Sequence, residues 1–216
     1  MRICCASDLH GDYNKLIIPD GDILIIAGDL NAYGTSNELK DFCKWLDKQS
    51  HKDKIVTAGN HDAFIYDYNA KARKLLGSHC IYLENSGCEI NGIKFWGSPV
   101  TPIFGTWFFM ADRGDSINRY WKLMPLDADV IITHGPPYEI LDNVPLSSRY
   151  NLGDKHLGCY DLLQKIKKVK PKYHIFGHIH SGYGVTKIDD TTYINCSVMN
   201  EEYEVVNEPI VIEYDK

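Results

Sequence analysis

The sequence predicts an α/β protein with sheets packed face to face and helices outside them. Three observations predict it. Apolar strand-like runs alternate with helical patterns in the first half of the chain, and strand, helix, strand in this order argues for a largely parallel sheet with crossover helices. Further short strand patterns follow, and two packed sheets accommodate their number. Five of the runs lead straight into Asp, Asn or His residues, the place where open α/β sheets carry their chemistry.

Taken in order, residues 2–7 and 23–27 read as strands. Thr35-x-x-Glu38 is a capping box that opens a helix. Leu39, Phe42, Cys43 and Leu46 then recur at spacings of 3, 4 and 7, which is one helical face. Residues 54–58 form the next strand, and residues 67–76 a helix closed by Gly77 as C-cap. Asn91-Gly92 between two short strand patterns signals a hairpin. Residues 96–120 are rich in aromatics, glycine and proline and show no clean period. They read as a long structured insertion near a site, because loops of that length are usually functional and the aromatic content opposes disorder. Residues 130–133 are a strand ending at His134, and Pro136 and Pro137 stop any helix there. A helix is expected over 156–169, then a strand over 173–176 running into His178 and His180, then short strands over 184–188, 192–196 and 209–213. No internal repeat or linker interrupts the pattern, so residues 1–216 are expected to form a single domain.

Hydrophobic residues at 44% and charged residues at 24% suit a globular protein with a sizeable core. No apolar run approaches the roughly 20 residues of a membrane span, and no signal peptide is visible, so a cytoplasmic protein without membrane attachment is expected. The seven cysteines are odd in number and form no CxxC pair, which fits reduced thiols. Cys43 belongs to a helix core, Cys4 and Cys5 must face opposite sides of a strand, and none is assigned to metal. A net charge of −6 gives no general attraction to polyanions, so stable nucleic-acid binding is not expected. The lysines at 165, 167, 168, 170 and 172 read as a solvated helix face.

Seven residues fit two adjacent metal ions: Asp8, His10, Asp29, Asn60, His134, His178 and His180. Asp8 and His10 are two apart, as are His178 and His180, so in extended chain each pair projects to one side. Glycines at 28, 59, 135 and 177 flank the ligands where close backbone approach is expected. Imidazole, carboxylate and amide without thiolate suit manganese first, with iron, zinc or cobalt as alternatives, rather than calcium. Asp29 is the natural bridge. Two ions about 3.5–4 Å apart clamp a phosphoryl oxygen and hold a bridging hydroxide, the chemistry of phosphoester hydrolysis. His61 stands outside the ligands, where it would bind the phosphate and protonate the leaving oxygen; Asp62 would orient it or keep it charged, or else serve as a simple turn or cap residue. The other histidines, 51, 79, 156 and 174, read as packing or surface residues. Phe104, Trp107, Phe108, Tyr138 and Tyr183 are candidates for stacking on a nucleobase, and Arg113, Arg119 and Arg149 for meeting an anion.

The ordered motifs DxH, GD, GNHD, THG and GHxH, spread over nearly the whole chain, resemble those of the calcineurin-like metallophosphoesterase superfamily. Phe95-Trp96-Gly97-Ser98-Pro99, Thr133-His134-Gly135-Pro136-Pro137, His156-Leu157-Gly158-Cys159 and Gly182-Tyr183-Gly184 narrow the resemblance to its class III cyclic nucleotide phosphodiesterase-like, metallophosphoesterase-domain branch. The resemblance implies a four-layer αββα sandwich, two mixed β-sheets flanked by helices, with a di-metal site at one sheet edge. Carried over by motif, Asp8, His10, Asp29 and His180 would hold one ion, and Asp29, Asn60, His134 and His178 the other. Asn60 and His61 would meet the substrate, with His61 as the catalytic histidine. Some members of this branch carry glycine where this chain keeps His178, so two-metal occupancy is expected. The implied activity is hydrolysis of small phosphodiesters, cyclic nucleotides among them. A phosphomonoesterase or protein phosphatase, or a non-catalytic scaffold of the same fold, are the competing readings.

Overall fold

The computed structural model describes residues 1–145 and 155–215. The strands are β1 (Arg2–Ala6), β2 (Ile23–Ala27), β3 (Asp53–Thr57), β4 (Ile81–Tyr82), β5 (Ser86–Ile90), β6 (Ile93–Ser98), β7 (Thr101–Pro102), β8 (Met110–Ala111), β9 (Val130–Thr133), β10 (Tyr173–Phe176), β11 (Gly184–Ile188), β12 (Thr191–Asn195) and β13 (Ile210–Glu213). The helices are α1 (Ser36–Asp47), α2 (Ala63–Asp67), α3 (Asn69–Leu76), α4 (Asp115–Trp121) and α5 (Tyr160–Val169).

Two mixed sheets form, in the orders β13-β1-β2-β3-β4 and β11-β12-β10-β9-β6-β5, with β7 and β8 as a small separate pair. In both sheets the interior strands run parallel, while β13, β11 and β5 join antiparallel at the ends.

Alternation along each strand sorts side chains into layers. Ile3, Cys5, Ile23, Ile25 and Ile55 of the first sheet pack between the sheets against Phe95, Val130, Ile132, Ile175 and Ile194 of the second. The opposite face of the first sheet, with Cys4, Leu24, Ile26 and Val56, takes Leu39, Phe42, Cys43 and Leu46 of α1 and Leu76 of α3. On the far side of the second sheet, Trp96, Ile131 and Phe176 meet Ile117 and Trp121 of α4 and Leu162 and Ile166 of α5. The result is a four-layer α/β/β/α arrangement. Interior strands are buried on both faces, which is why they read as unbroken apolar runs. All seven cysteines are unpaired, and Cys4 and Cys5 face different layers. Among the described residues no helix is long and apolar enough to cross a membrane.

Local signals decide several elements. Thr35 Oγ1 accepts the Glu38 N–H while Glu38 accepts the Thr35 N–H, so the capping box closes both ways. Asn91 (φ 52°) and Gly92 (φ 77°) are both left-handed and join β5 to β6, as a tight two-residue hairpin requires.

Three expectations need correction. The helix expected over 67–76 is two, α2 and α3, broken at Tyr68, whose φ of −120° and ψ of 43° leave the helical region. Gly77 does follow α3, but with φ −63°, so it caps without using a left-handed conformation. The helix expected from 156 starts at Tyr160, where the Cys159 thiol accepts the Leu162 N–H. Residues 96–120 are not one irregular insertion. Trp96 lies in β6, and the segment ends in α4, whose seven residues are too few to show a period.

Candidate metal centre

The site lies where the two sheets converge at the C-terminal ends of their parallel strands. β1, β2 and β3 deliver Asp8 and His10, Asp29, and Asn60 and His61. β9 and β10 deliver His134, His178 and His180. In-register pairing (Ala6 with Ile26, Ala27 with Thr57, Ile132 with Ile175) brings these ends level. Beyond β1 the chain crosses to the second sheet, where Ser7 N–H donates to Cys196 O at 2.9 Å and Val198 N–H to Ser7 O at 3.0 Å.

The paired ligand candidates converge by a different route from the one expected. The chain is not extended there. Asp8 (φ 58°), His10 (φ 41°), Asp29 (φ 50°) and His178 (φ 70°) are all left-handed, and His180 opens a 3₁₀ turn. Left-handed backbone is uncommon outside glycine and clusters at functional sites. Here it is held by parallel loops: Asp8 N–H donates to Gly28 O at 3.0 Å, and Leu9 and His10 N–H both donate to Asp29 O at 2.9 and 3.0 Å. The flanking glycines do permit close approach. A Cβ on Gly59 would collide with the Asp29 carboxylate, and one on Gly177 with the Asp8 carboxylate.

Among the described residues three triads place potential ligand atoms within 4.8 Å of one another: Asp8, His10 and His180; Asp8, Asp29 and His134; and His10, Asp29 and His61. Asp29 Oδ2 lies 3.6 Å from His10 Nε2 and 3.4 Å from His134 Nε2, and Asn60 Oδ1 is 3.0 Å from His134 Nε2. His178 joins none of the triads. Its ring stands 4.9 Å from that of His134, and its N–H donates to both Asp8 oxygens at 3.0 and 3.1 Å. His61 stands nearer the cluster than expected, edge-on to His10 at 4.6 Å.

Backbone carbonyls aim two of the imidazoles. His134 Nδ1–H donates to Ala27 O at 3.0 Å and His180 Nδ1–H to Asn200 O at 2.8 Å, which turns each Nε2 toward the carboxylates. Burial disfavours the charged imidazole, yet the Asp29 charge beside His134 and the Asp8 bond to His180 outweigh it, pushing both pKa values up to about 9. Burial dominates at His10 and His178, whose pKa values fall to about 4 and about 3. Asp8 and Asp29 are held below the ordinary carboxylate range, because the neighbouring imidazoles outweigh the cost of burial.

These residues fit a divalent ion pair. Both ring nitrogens of His10 are buried without a hydrogen-bond partner. Such polar atoms are costly to bury and rare unless something else satisfies them. Two fully buried carboxylates facing four imidazoles supply the oxygen and nitrogen donors of a transition-metal site.

Asp62 does not orient His61. It is fully buried, and its carboxylate accepts from Gly59 N–H (2.8 Å), Leu30 N–H (3.2 Å), Asn31 N–H (3.2 Å) and Asn31 Nδ2 (2.9 Å). It therefore ties the loop after β2 to the loop after β3. His61 is placed otherwise: its N–H donates to Asp29 Oδ1 at 2.9 Å, and its Nδ1 lies 3.3 Å from Ala32 O.

A cavity of about 840 Å³ opens onto the cluster, lined among others by His10, Asp29, Asn60, His61 and His178. Of the five aromatic candidates it takes two. Trp107 stacks on His61, and Phe104 stands 4.9 Å from His178. Phe108 instead packs on Tyr66, Tyr138 on His156 and Tyr160, and the Tyr183 hydroxyl donates to Glu208 O. Arg113 lines the cavity while donating to the carbonyls of Leu157 and Gly158. Arg119 reaches Ser116, away from it, and Arg149 lies outside the described residues. His174 is buried against Phe176 and Tyr193, and His79 pairs with Asp47.

Sequence reasoning missed Glu201, Glu202 and Tyr203, which also line the cavity. Tyr203 is left-handed (φ 62°), with its ring 4.8 Å from His10 and 5.3 Å from His180. Only an Asn-Glu-Glu turn pattern marks this segment, and nothing local ties it to residues nearly two hundred positions earlier.

Comparisons with known proteins agree with this geometry. The family description "Calcineurin-like phosphoesterase" matches residues 1–182. The human "Metallophosphoesterase domain-containing protein 1" is 38% identical, with 98% of this chain and 70% of that protein aligned. A UPF0046 protein of Caenorhabditis elegans is 36% identical over 98% of this chain and 74% of its own length. Among solved structures, the phosphopantetheinyl hydrolase of Mycobacterium tuberculosis shares the fold, with a TM-score of 0.61 at 15% identity, covering 91% of this chain and 88% of that one. The family works with a pair of divalent metal ions, which the clustered carboxylates and imidazoles accommodate. By the extent of the family match and the near full-length likeness to a metallophosphoesterase-domain protein, the chain belongs to the calcineurin-like phosphoesterases.

Proposed function

We propose that the protein hydrolyses phosphodiester bonds in small substrates, cyclic nucleotides among them. Asp8, His10, Asp29 and His180 would hold one divalent ion, and Asp29, Asn60, His134 and His178 the second. The observation that carries this reading is the shared carboxylate: Asp29 Oδ2 lies between His10 Nε2 at 3.6 Å and His134 Nε2 at 3.4 Å, under a cavity large enough for a nucleotide. When bound, the ion pair supplies Lewis acidity at a phosphoryl oxygen and lowers the pKa of an attacking water.

The chain's own residues do the rest. The carbonyls of Ala27 and Asn200 fix the two outer imidazoles. Ala32 O takes the His61 Nδ1–H, which leaves Nε2 to hold the phosphate and protonate the leaving oxygen. Charge favours diesters over monoesters. Two carboxylates, Glu201 and Glu202, stand at the cavity with the Arg113 guanidinium, so a singly charged diester meets less repulsion there than a doubly charged monoester.

The test compares bis(p-nitrophenyl) phosphate with p-nitrophenyl phosphate under the same manganese concentration. The diester is expected to give at least about a 10-fold higher kcat/KM. Equal or better turnover of the monoester would overturn the diester reading and leave a phosphomonoesterase.

A further inference from the structure

The loop between β7 and β8 carries Trp107 to the site, and its construction is specific. Its base is closed by Thr101 N–H donating to Phe109 O at 3.0 Å and Ile103 N–H donating to Ala111 O at 3.1 Å. Phe109 is buried in the core beneath α1 and α3, with Tyr66 edge-on to it at 5.1 Å, and Phe108 packs on the same tyrosine. The tip is fastened to the motif loop itself, where Phe108 N–H donates to Asn60 O at 3.3 Å. With the following two residues anchored, Trp107 has little freedom. Its ring lies over that of His61 at 4.2 Å between centroids and 29° between planes.

His61 needs such a partner. One hydrogen bond from Nδ1 to Ala32 O lets the imidazole swing about that contact; the edge of His10 at 4.6 Å and the more distant tilted ring of Tyr203 at 6.2 Å border it without covering a ring face. A stacked indole removes the remaining freedom by occupying a ring face.

We propose that Trp107 is a positioning residue, whose indole holds the His61 imidazole in the plane from which Nε2 passes a proton to the leaving oxygen. The inference rests on the reading of His61 as general acid. In that step the phosphorus–oxygen bond to the leaving group breaks, and its electron pair stays on the departing oxygen. That oxygen takes the Nε2 proton. An attacking water supplies the oxygen of the new phosphorus–oxygen bond, and the proton it releases replaces, through solvent, the one that Nε2 gave up. The loop thus acts on the acid rather than serving only as a platform for a base.

The test uses metal-loaded full chain and two diesters of matched charge, one leaving as p-nitrophenolate and one as phenolate. Poor leaving groups depend most on protonation. His61→Ala is expected to lose about 10-fold more turnover with phenolate than with p-nitrophenolate, and Trp107→Ala to show the same selective loss in weaker form. Trp107→Phe, which keeps a stacking face, should recover most of it. The double variant should be no worse than His61→Ala, because both act on one proton transfer. In the metal-free protein, the Nδ1–H signal of His61 in nuclear magnetic resonance should survive in Trp107→Phe and broaden by exchange in Trp107→Ala.

A Trp107→Ala loss equal for both leaving groups, or one that multiplies with that of His61→Ala, would overturn the positioning role while His61→Ala keeps its selectivity. A His61→Ala loss that ignores the leaving group would instead overturn the general-acid reading. Trp107 is 40% exposed, so its replacement is compatible with folding.

Discussion

Replacing Asp62 by alanine removes the acceptor of three backbone N–H groups and one side-chain amide, all inside a fully buried junction between the loops after β2 and β3. A buried donor left without a partner costs about 1–3 kcal/mol. Water entering the vacated volume would satisfy part of the set, so a loss of about 3–5 kcal/mol is expected. That is a large share of the roughly 5–15 kcal/mol by which a domain is stable. Asp62→Asn keeps one acceptor oxygen but turns an amide toward the same donors, and about 2 kcal/mol is expected. Urea unfolding of the metal-free protein measures both. A stability loss below about 1 kcal/mol in the alanine variant would refute the tether. Loss of turnover at unchanged stability would do so as well, by returning Asp62 to direct service of His61.

Further outcomes follow from the same geometry. Gly177→Ala should weaken metal binding at least about 10-fold in calorimetric titration, because the new methyl group strikes the Asp8 carboxylate. The pH dependence of the metal-free and metal-loaded forms should diverge. The His134 and His180 pKa values of about 9 lie above the unfolded value of about 6.5, so their stabilisation of the metal-free protein is complete below that pH and is lost as pH rises through 9. The depressed Asp8 and Asp29 contribute above the unfolded carboxylate range and lose that contribution as pH falls into and below it. Metal takes neutral imidazoles, so the Tm difference between loaded and chelated protein should widen from pH 6 to about 9; a constant difference would contradict it. At free metal about 100-fold above the Kd of each site, loading should add about 2.7 kcal/mol per ion, about 5.4 kcal/mol for the pair, to unfolding free energy, read by thermal scans before and after chelation.

Much of this fold is legible because its signals are local. The capping box at Thr35 and Glu38, the Asn91-Gly92 turn and the doubly buried strands each specify one element from adjacent residues. The short α4 hides because seven residues beginning after Gly114 (φ 79°) do not establish a period. The break at Tyr68 hides because the flanking residues suit a helix equally well on both sides. Motif order alone points Asp8, His10, Asp29, His134 and His180 to one locus, and their ligand atoms do cluster there. The means of convergence were not legible, since left-handed backbone at Asp8 and His10 is set by a neighbouring loop. The same limit applies to Asp62, whose partners lie about thirty residues away, and to Tyr203.

The central claim is that Asp29 is shared by two divalent ions, and elemental analysis of the purified chain tests it most directly. After loading with manganese and removal of excess metal, the wild-type chain is expected to carry two ions, and a folded Asp29→Ala variant at most one, with turnover of bis(p-nitrophenyl) phosphate lost. A folded wild-type chain that carries no metal, or an Asp29→Ala chain that keeps two ions and full turnover, would contradict it.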